Sequence, residues 1–161
     1  VSAGTIYNYY ESKADLLSDT IESIWHEIFF HPEDEQIFHD VESCISWIYE
    51  RLEYGNRQFP GFFSLHSFGF MRDEKTSGKK RMMKTWGHIL NGLCEVLEND
   101  PKVRADVFDQ EFTEKKFADI LFSLILVSMI RQDYDPSSVL MLVKKTLYVT
   151  VQSQAKFQKQ V

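Results

Sequence analysis

The chain has 161 residues, 43% hydrophobic and 14% aromatic, the size of one domain and apolar enough to bury a substantial core. Cys44 and Cys94 are its only cysteines, which excludes a disulfide framework, and no apolar run reaches the roughly 18 residues that cross a bilayer. Its net charge of −6 is unlike that of a nucleic-acid-binding surface, which is basic where it meets phosphate.

The pattern predicts helices from end to end, broken around Pro32, Gly55, Pro60, Gly61, Gly78, Pro101 and Pro136. A short helix is expected over residues 2–9. A longer one follows over about 12–30, with Ser12 as cap, Asp15 at its third position, and Leu17, Ile21, Ile24 and Ile28 on one stripe. From about Asp34, the spacing of Ile37, Val41, Ile45, Ile48 and Leu52 predicts another helix, ended by Gly55. Residues 59–71 concentrate phenylalanines in a short helical piece. Helices are then expected over 79–98, with Met82, Trp86, Ile89, Leu93 and Leu97 on one side, and over about 114–132. A last long helix is capped by Asp135 with Pro136 in its first turn and runs to about Phe157. No strand-like alternation of useful length is present, so the expected class is all-α.

The most informative stretch is the first: Val1, Ser2, Ala3, Gly4, Thr5, Ile6, Tyr7, Asn8, Tyr9, Tyr10, Glu11, Ser12, Lys13, Ala14, Asp15, Leu16, Leu17. A helix that enters the major groove needs a slim end, short polar side chains toward base edges and groups that hold phosphates on either side. Ser2 to Thr5 are small, and Thr5, Tyr7, Asn8 and Tyr9 carry hydrogen-bonding groups. Lys13 sits at a helix N-terminus, where its charge opposes the dipole and is better explained by an external anion.

This stretch is similar to the signature of the TetR (tetracycline repressor) family: a recognition helix ending in Thr-aliphatic-Tyr-x-x-aromatic, then a Ser-Lys pair opening a long helix with paired leucines. Tyr10 stands where Phe is commoner. The resemblance covers about a tenth of the chain. It implies the C-terminal part of a helix-turn-helix DNA-binding domain over residues 1–30, followed over 31–161 by a helical ligand-binding and dimerisation domain. It further implies that Ser2, Thr5, Tyr7, Asn8 and Tyr9 meet DNA backbone or bases, with Asn8 the base reader, and that Lys13 holds a phosphate. Two more helices are expected ahead of Val1, so the chain is expected to be an N-terminally truncated piece of a bacterial regulator. Of 12 acidic residues in positions 1–60, only Glu11 and Asp15 fall beside the reading helix, which eases the conflict with the overall charge.

The aromatic residues form a second constellation. Such rings at helical spacing are ordinarily core, and a fraction of them line a cavity. In the family the middle helices enclose a pocket, so the expected ligand-binding residues are Trp25, Trp47, Phe62, His66, Met83 and Trp86, taking a small apolar or aromatic effector. Glu27, Glu50 and Glu53 read as solvated helix residues, as do Lys75, Lys79, Lys80, Arg81 and Lys84.

Glu22 and His26, Glu27 and His31, and Glu35 and His39 stand four apart, as exposed helix pairs do. Di-iron bundles use a spacing of three, so no metal and no cofactor is expected. No nucleophile elbow, phosphate loop or zinc pattern appears, and the chain does not read as an enzyme. No signal peptide opens it, and a cytoplasmic location with no membrane contact is expected.

The expected function is that of a ligand-responsive regulator, a repressor released from double-stranded operator DNA by its effector. It is expected to act as a homodimer through residues 114–157, because Ile120 to Ile130 is apolar in nearly every direction around its helix. Ile125 is expected within that interface. The alternative is a small helical ligand-binding protein or enzyme with no DNA role.

Overall fold

A computed structural model of the chain describes residues 13–29, 38–65 and 77–149. Among these the protein is all-α, with no strand. The helices are α1 (Lys13–Phe29), α2 (Val41–Gln58), α3 (Phe62–Leu65), α4 (Ser77–Asn99), α5 (Glu114–Arg131) and α6 (Ser137–Val143), the last continuing into a π-helical turn, Lys144–Tyr148. The described residues divide into two compact units, the first of 13–29, 51–65 and 77–89, the second of 38–50 and 90–149.

In the first unit α1 follows the predicted helix and buries Ile21, Trp25 and Ile28. Its carbonyls at Glu27 and Ile28 lie in the last turn of α1, and Pro32 has no N–H to offer Ile28. Arg51 supplies donors instead, from Nε to Ile28 O at 2.5 Å and from Nη2 to Glu27 O at 3.3 Å. The same guanidinium lies over the Tyr54 ring, 4.4 Å from its centroid.

The expectation that Gly55 ends its helix is overturned, since α2 runs on to Gln58. Gly55 is buried instead because two residues crowd it: a Cβ there would come within 2.6 Å of Ile28 Cδ1 and 3.0 Å of Phe63 Cζ. The chain then turns through Pro60 and Gly61, closed by Phe62 N donating to Phe59 O at 3.0 Å. Gly61 holds a φ of 81°, the left-handed value that glycine tolerates. On α4, Trp86 is buried.

In the second unit α2 begins later than the apolar stripe suggested, at Val41 rather than near Asp34. Asp40 is the reason: its Oδ1 accepts from Ser43 N at 2.7 Å and Ser43 Oγ at 2.6 Å, an N-cap that fixes the start. Asp100, a buried carboxylate, gathers three donors, two of them from distant parts of the unit. Val41 N reaches Oδ2 at 2.9 Å, Lys102 N reaches Oδ1 at 2.8 Å, and the Tyr148 hydroxyl donates to Oδ2. Ion pairs from Lys102 to Asp40 (2.6 Å) and Lys144 to Glu42 (2.9 Å) lie around it. Leu93 and Leu97 of α4 are buried in this unit.

Helix α5 matches its predicted span. Thr113 caps its start, accepting from Lys116 N at 3.3 Å. Its end is a Schellman motif: Gln132 N donates to Met129 O and Asp133 N to Ser128 O, with Gln132 left-handed at φ 54°. Phe117, Ala118, Leu121, Ile125 and Met129 face inward. Ile125, expected in a dimer interface, is only 2% exposed in the single chain and belongs to the core of that chain. The apolar side chains left at the surface are Ile120, Val127 and Ile130.

The N-cap of α6 is Pro136 rather than the expected Asp135, which stands one residue earlier and accepts from Ser137 N at 2.9 Å. The final helix is shorter than the predicted run to Phe157, because Val149 adopts an extended conformation (φ −92°, ψ 122°). Arg104 stabilises that ending. Its backbone N–H donates to Leu147 O at 3.0 Å, and its Nη1 donates to Thr146 O at 3.3 Å and to Val149 O at 2.5 Å. Carbonyls that a continuing helix would have engaged are thereby satisfied. Residues 150–161 lie outside the described residues.

Candidate ligand site and DNA-contacting segment

The first helical piece and five of the six residues expected to meet DNA (Ser2, Thr5, Tyr7, Asn8 and Tyr9) lie outside the described residues. Lys13 is the first described residue of α1. Its backbone is described and its side chain is not.

Of the six expected ligand residues, Trp25 and Phe62 are brought together. Trp25 extends from the buried stripe of α1, and Phe62 follows the Pro60–Gly61 turn, which aims the start of α3 at that stripe. The two rings meet near edge-on, with centroids 5.7 Å apart at 65°. Phe29, one turn along α1, stacks on Trp25 at 5.6 Å and 19°, and Phe63 meets it at 5.6 Å and 52°. Phe59 continues the group through Phe62 at 6.4 Å.

Phe29 and Phe63 were not singled out as site residues. The i, i+4 spacing of Trp25 and Phe29 carries a signal for the first. Nothing local distinguishes Phe63 from its neighbours, and its place depends on the close approach that Gly55 permits.

Trp86 is buried in the same unit. Trp47 belongs to the second unit, half-buried, with its ring 5.3 Å from that of Phe38. Met83 lies on α4 with its side chain outside the described residues, and His66 falls outside them altogether.

The group around Trp25 is apolar except at one atom. The indole Nε1 is buried and has no hydrogen-bond partner among the described residues, in a residue only 2% exposed. Polar neighbours on α1, Glu22, Ser23, His26 and Glu27, are exposed. The buried charged residue Asp100 lies in the other unit.

The thiols offer little nucleophilic chemistry. Burial pushes Cys44 up to about 12, and burial with Glu98 nearby raises Cys94, so neither favours thiolate at neutral pH. Among the described residues no three His, Cys, Asp or Glu side chains gather as a metal site would need, and no helix is long and apolar enough to cross a membrane. Comparison of the chain with protein-family models, with curated proteins and with solved structures finds no match.

Proposed function

We propose that the chain is the greater part of a ligand-responsive transcriptional regulator of the TetR type, a repressor that leaves its operator when a small apolar or aromatic molecule binds. The observation that carries this reading is the ordered run from Ser2 to Leu17, in which a slim, polar reading helix meets a Ser-Lys helix start. The helix that begins at Lys13 is continuous through Trp25, about 18 Å along its axis. A ligand held at the aromatic group therefore acts on the same rigid element that leads to the reading helix. Displacing that element changes the separation of two reading helices in a dimer, which must match successive major grooves about 34 Å apart. The exposed Ile120, Val127, Ile130, Met141 and Leu142 supply an apolar face for a second copy.

The test is selection of bound duplexes from a randomised library by the native full-length protein, followed by titration of the selected site against salt. A short palindromic site is expected, with affinity that falls steeply as salt rises because bound phosphates release counterions. Recovery of no preferred duplex, or affinity indifferent to salt, would favour the reading as a helical ligand-binding protein or enzyme without a DNA role.

A further inference from the structure

The indole nitrogen of Trp25 points to a more specific ligand. A buried N–H without an acceptor forfeits its hydration uncompensated, and Phe at position 25 would complete the aromatic group at no such cost. Three phenylalanine rings pack against the Trp25 ring, and among the side chains of its unit whose burial is described no charged one is buried. A charged ligand held against these rings would lose its hydration, which is far costlier than leaving a neutral group dry.

We infer that Trp25 is the hydrogen-bond donor of the ligand site, and that the ligand is a neutral, largely aromatic molecule bearing one acceptor, such as a ketone oxygen, set against the Trp25–Phe29–Phe62–Phe63 group. The inference rests on the ligand-responsive reading above and adds to it the polarity and hydrogen-bonding requirement of the effector. The indole supplies direction, and the rings supply most of the contact area.

The experiment compares two probes of nearly the same shape, 9-fluorenone, which carries one ketone acceptor, and fluorene, which carries none. Both are titrated against the 161-residue chain while the indole N–H signals are followed by proton–nitrogen correlation spectroscopy. Fluorenone is expected to bind about tenfold more tightly, the worth of one otherwise unmade hydrogen bond, and to move the Trp25 indole proton downfield. Trp25→Phe should equalise the two probes. Because that variant also changes packing, 3-benzothienylalanine at position 25 is the second variant: it keeps the bicyclic shape and replaces N–H by sulfur, and it too should abolish the preference.

Equal binding of the probes to the unaltered chain, a preference that survives either variant, or no binding of either probe up to its solubility limit overturns the assignment. Operator selection by the full-length protein requires no ligand. Its failure therefore sinks the regulator reading separately and leaves the probe comparison intact.

Discussion

Arg51 donates its Nε–H to the carbonyl oxygen of Ile28 at 2.5 Å, so that a side chain from α2 closes the C-terminal end of α1. The cation also complements the negative end of the α1 dipole. Arg51→Ala removes both carbonyl contacts and the stacking on Tyr54, and should cost about 2 kcal/mol in urea unfolding. Arg51→Lys should recover only part of this, because one ammonium cannot reproduce the planar fork. Unchanged stability of Arg51→Ala would mean that water serves these carbonyls equally well.

The Asp40 carboxylate is held well below its ordinary value of 3.8, first by the hydrogen bond from Lys102 and then by those from the Ser43 hydroxyl and backbone. A depressed carboxylate contributes stability that is complete above the unfolded pKa. That contribution is lost as pH falls through the lower, folded value. Asp40→Ala should therefore destabilise the chain by about 1 kcal/mol at pH 7, mainly through the lost N-cap, and the gap to the unaltered chain should close as pH drops below about 4. Urea midpoints measured from pH 7 to pH 2 test this. A gap that stays constant across that range would show that the charge on Asp40 is irrelevant.

The all-α class and the span of α5 were legible because apolar spacing and capping residues are local signals, and Thr113 and Asp135 each act within three residues of themselves. Three features escaped for one common reason, that distant residues decide them. Gly55 resembles a helix terminator locally but is needed for the close approach of Ile28 and Phe63. The last helix keeps an apolar stripe beyond Leu147, yet Arg104, more than forty positions earlier, engages the carbonyls at which it ends. A helix apolar on all sides does not declare which face turns inward, hence the misplacing of Ile125. In the aromatic group, Trp25 and Phe62 were both expected from the family resemblance, whereas the place of Phe63 depended on the close approach at Gly55.

Gln132 occupies the left-handed position that closes the Schellman motif of α5. A side chain there costs about 1 kcal/mol relative to glycine, and the two carbonyl contacts of the motif do not depend on it. Gln132→Gly should raise stability by about 0.5–1 kcal/mol, read as a higher urea midpoint with unchanged slope. A lower midpoint would show that the backbone freedom gained by the unfolded glycine outweighs the relief of strain.

If Lys13 binds a phosphate, as the TetR-like motif implies, Lys13→Ala in the full-length protein should weaken binding to specific and non-specific duplexes by the same factor and reduce the salt slope by about 1. Asn8→Ala should instead alter which operator variants are preferred, because a base contact discriminates among sequences and a phosphate contact does not. The two effects separate in one randomised-operator library. An Asn8→Ala preference profile identical to that of the unaltered protein would remove Asn8 from the reading role.

The two faces of α5 give the test of self-association. Ile120, Val127 and Ile130 are spaced seven and three residues apart on one side of the helix and are 44%, 41% and 52% exposed, whereas Ile125 on the other side is buried. Single chains rarely leave such a row open unless it meets a partner, and Met141 and Leu142 of α6 expose further apolar surface. Val127→Glu and Ile130→Glu should leave the helical circular-dichroism signal and the urea midpoint nearly unchanged, since each charge remains solvated in the monomer. In a dimer the same charge is dry and costs several kcal/mol. Sedimentation should then show a dimer for the unaltered chain and a monomer for both variants. Ile125→Glu should unfold the chain, because its charge enters the subunit core. Sedimentation of the unaltered chain as a monomer, or persistence of the dimer in both surface variants, would locate any partner elsewhere than on this face.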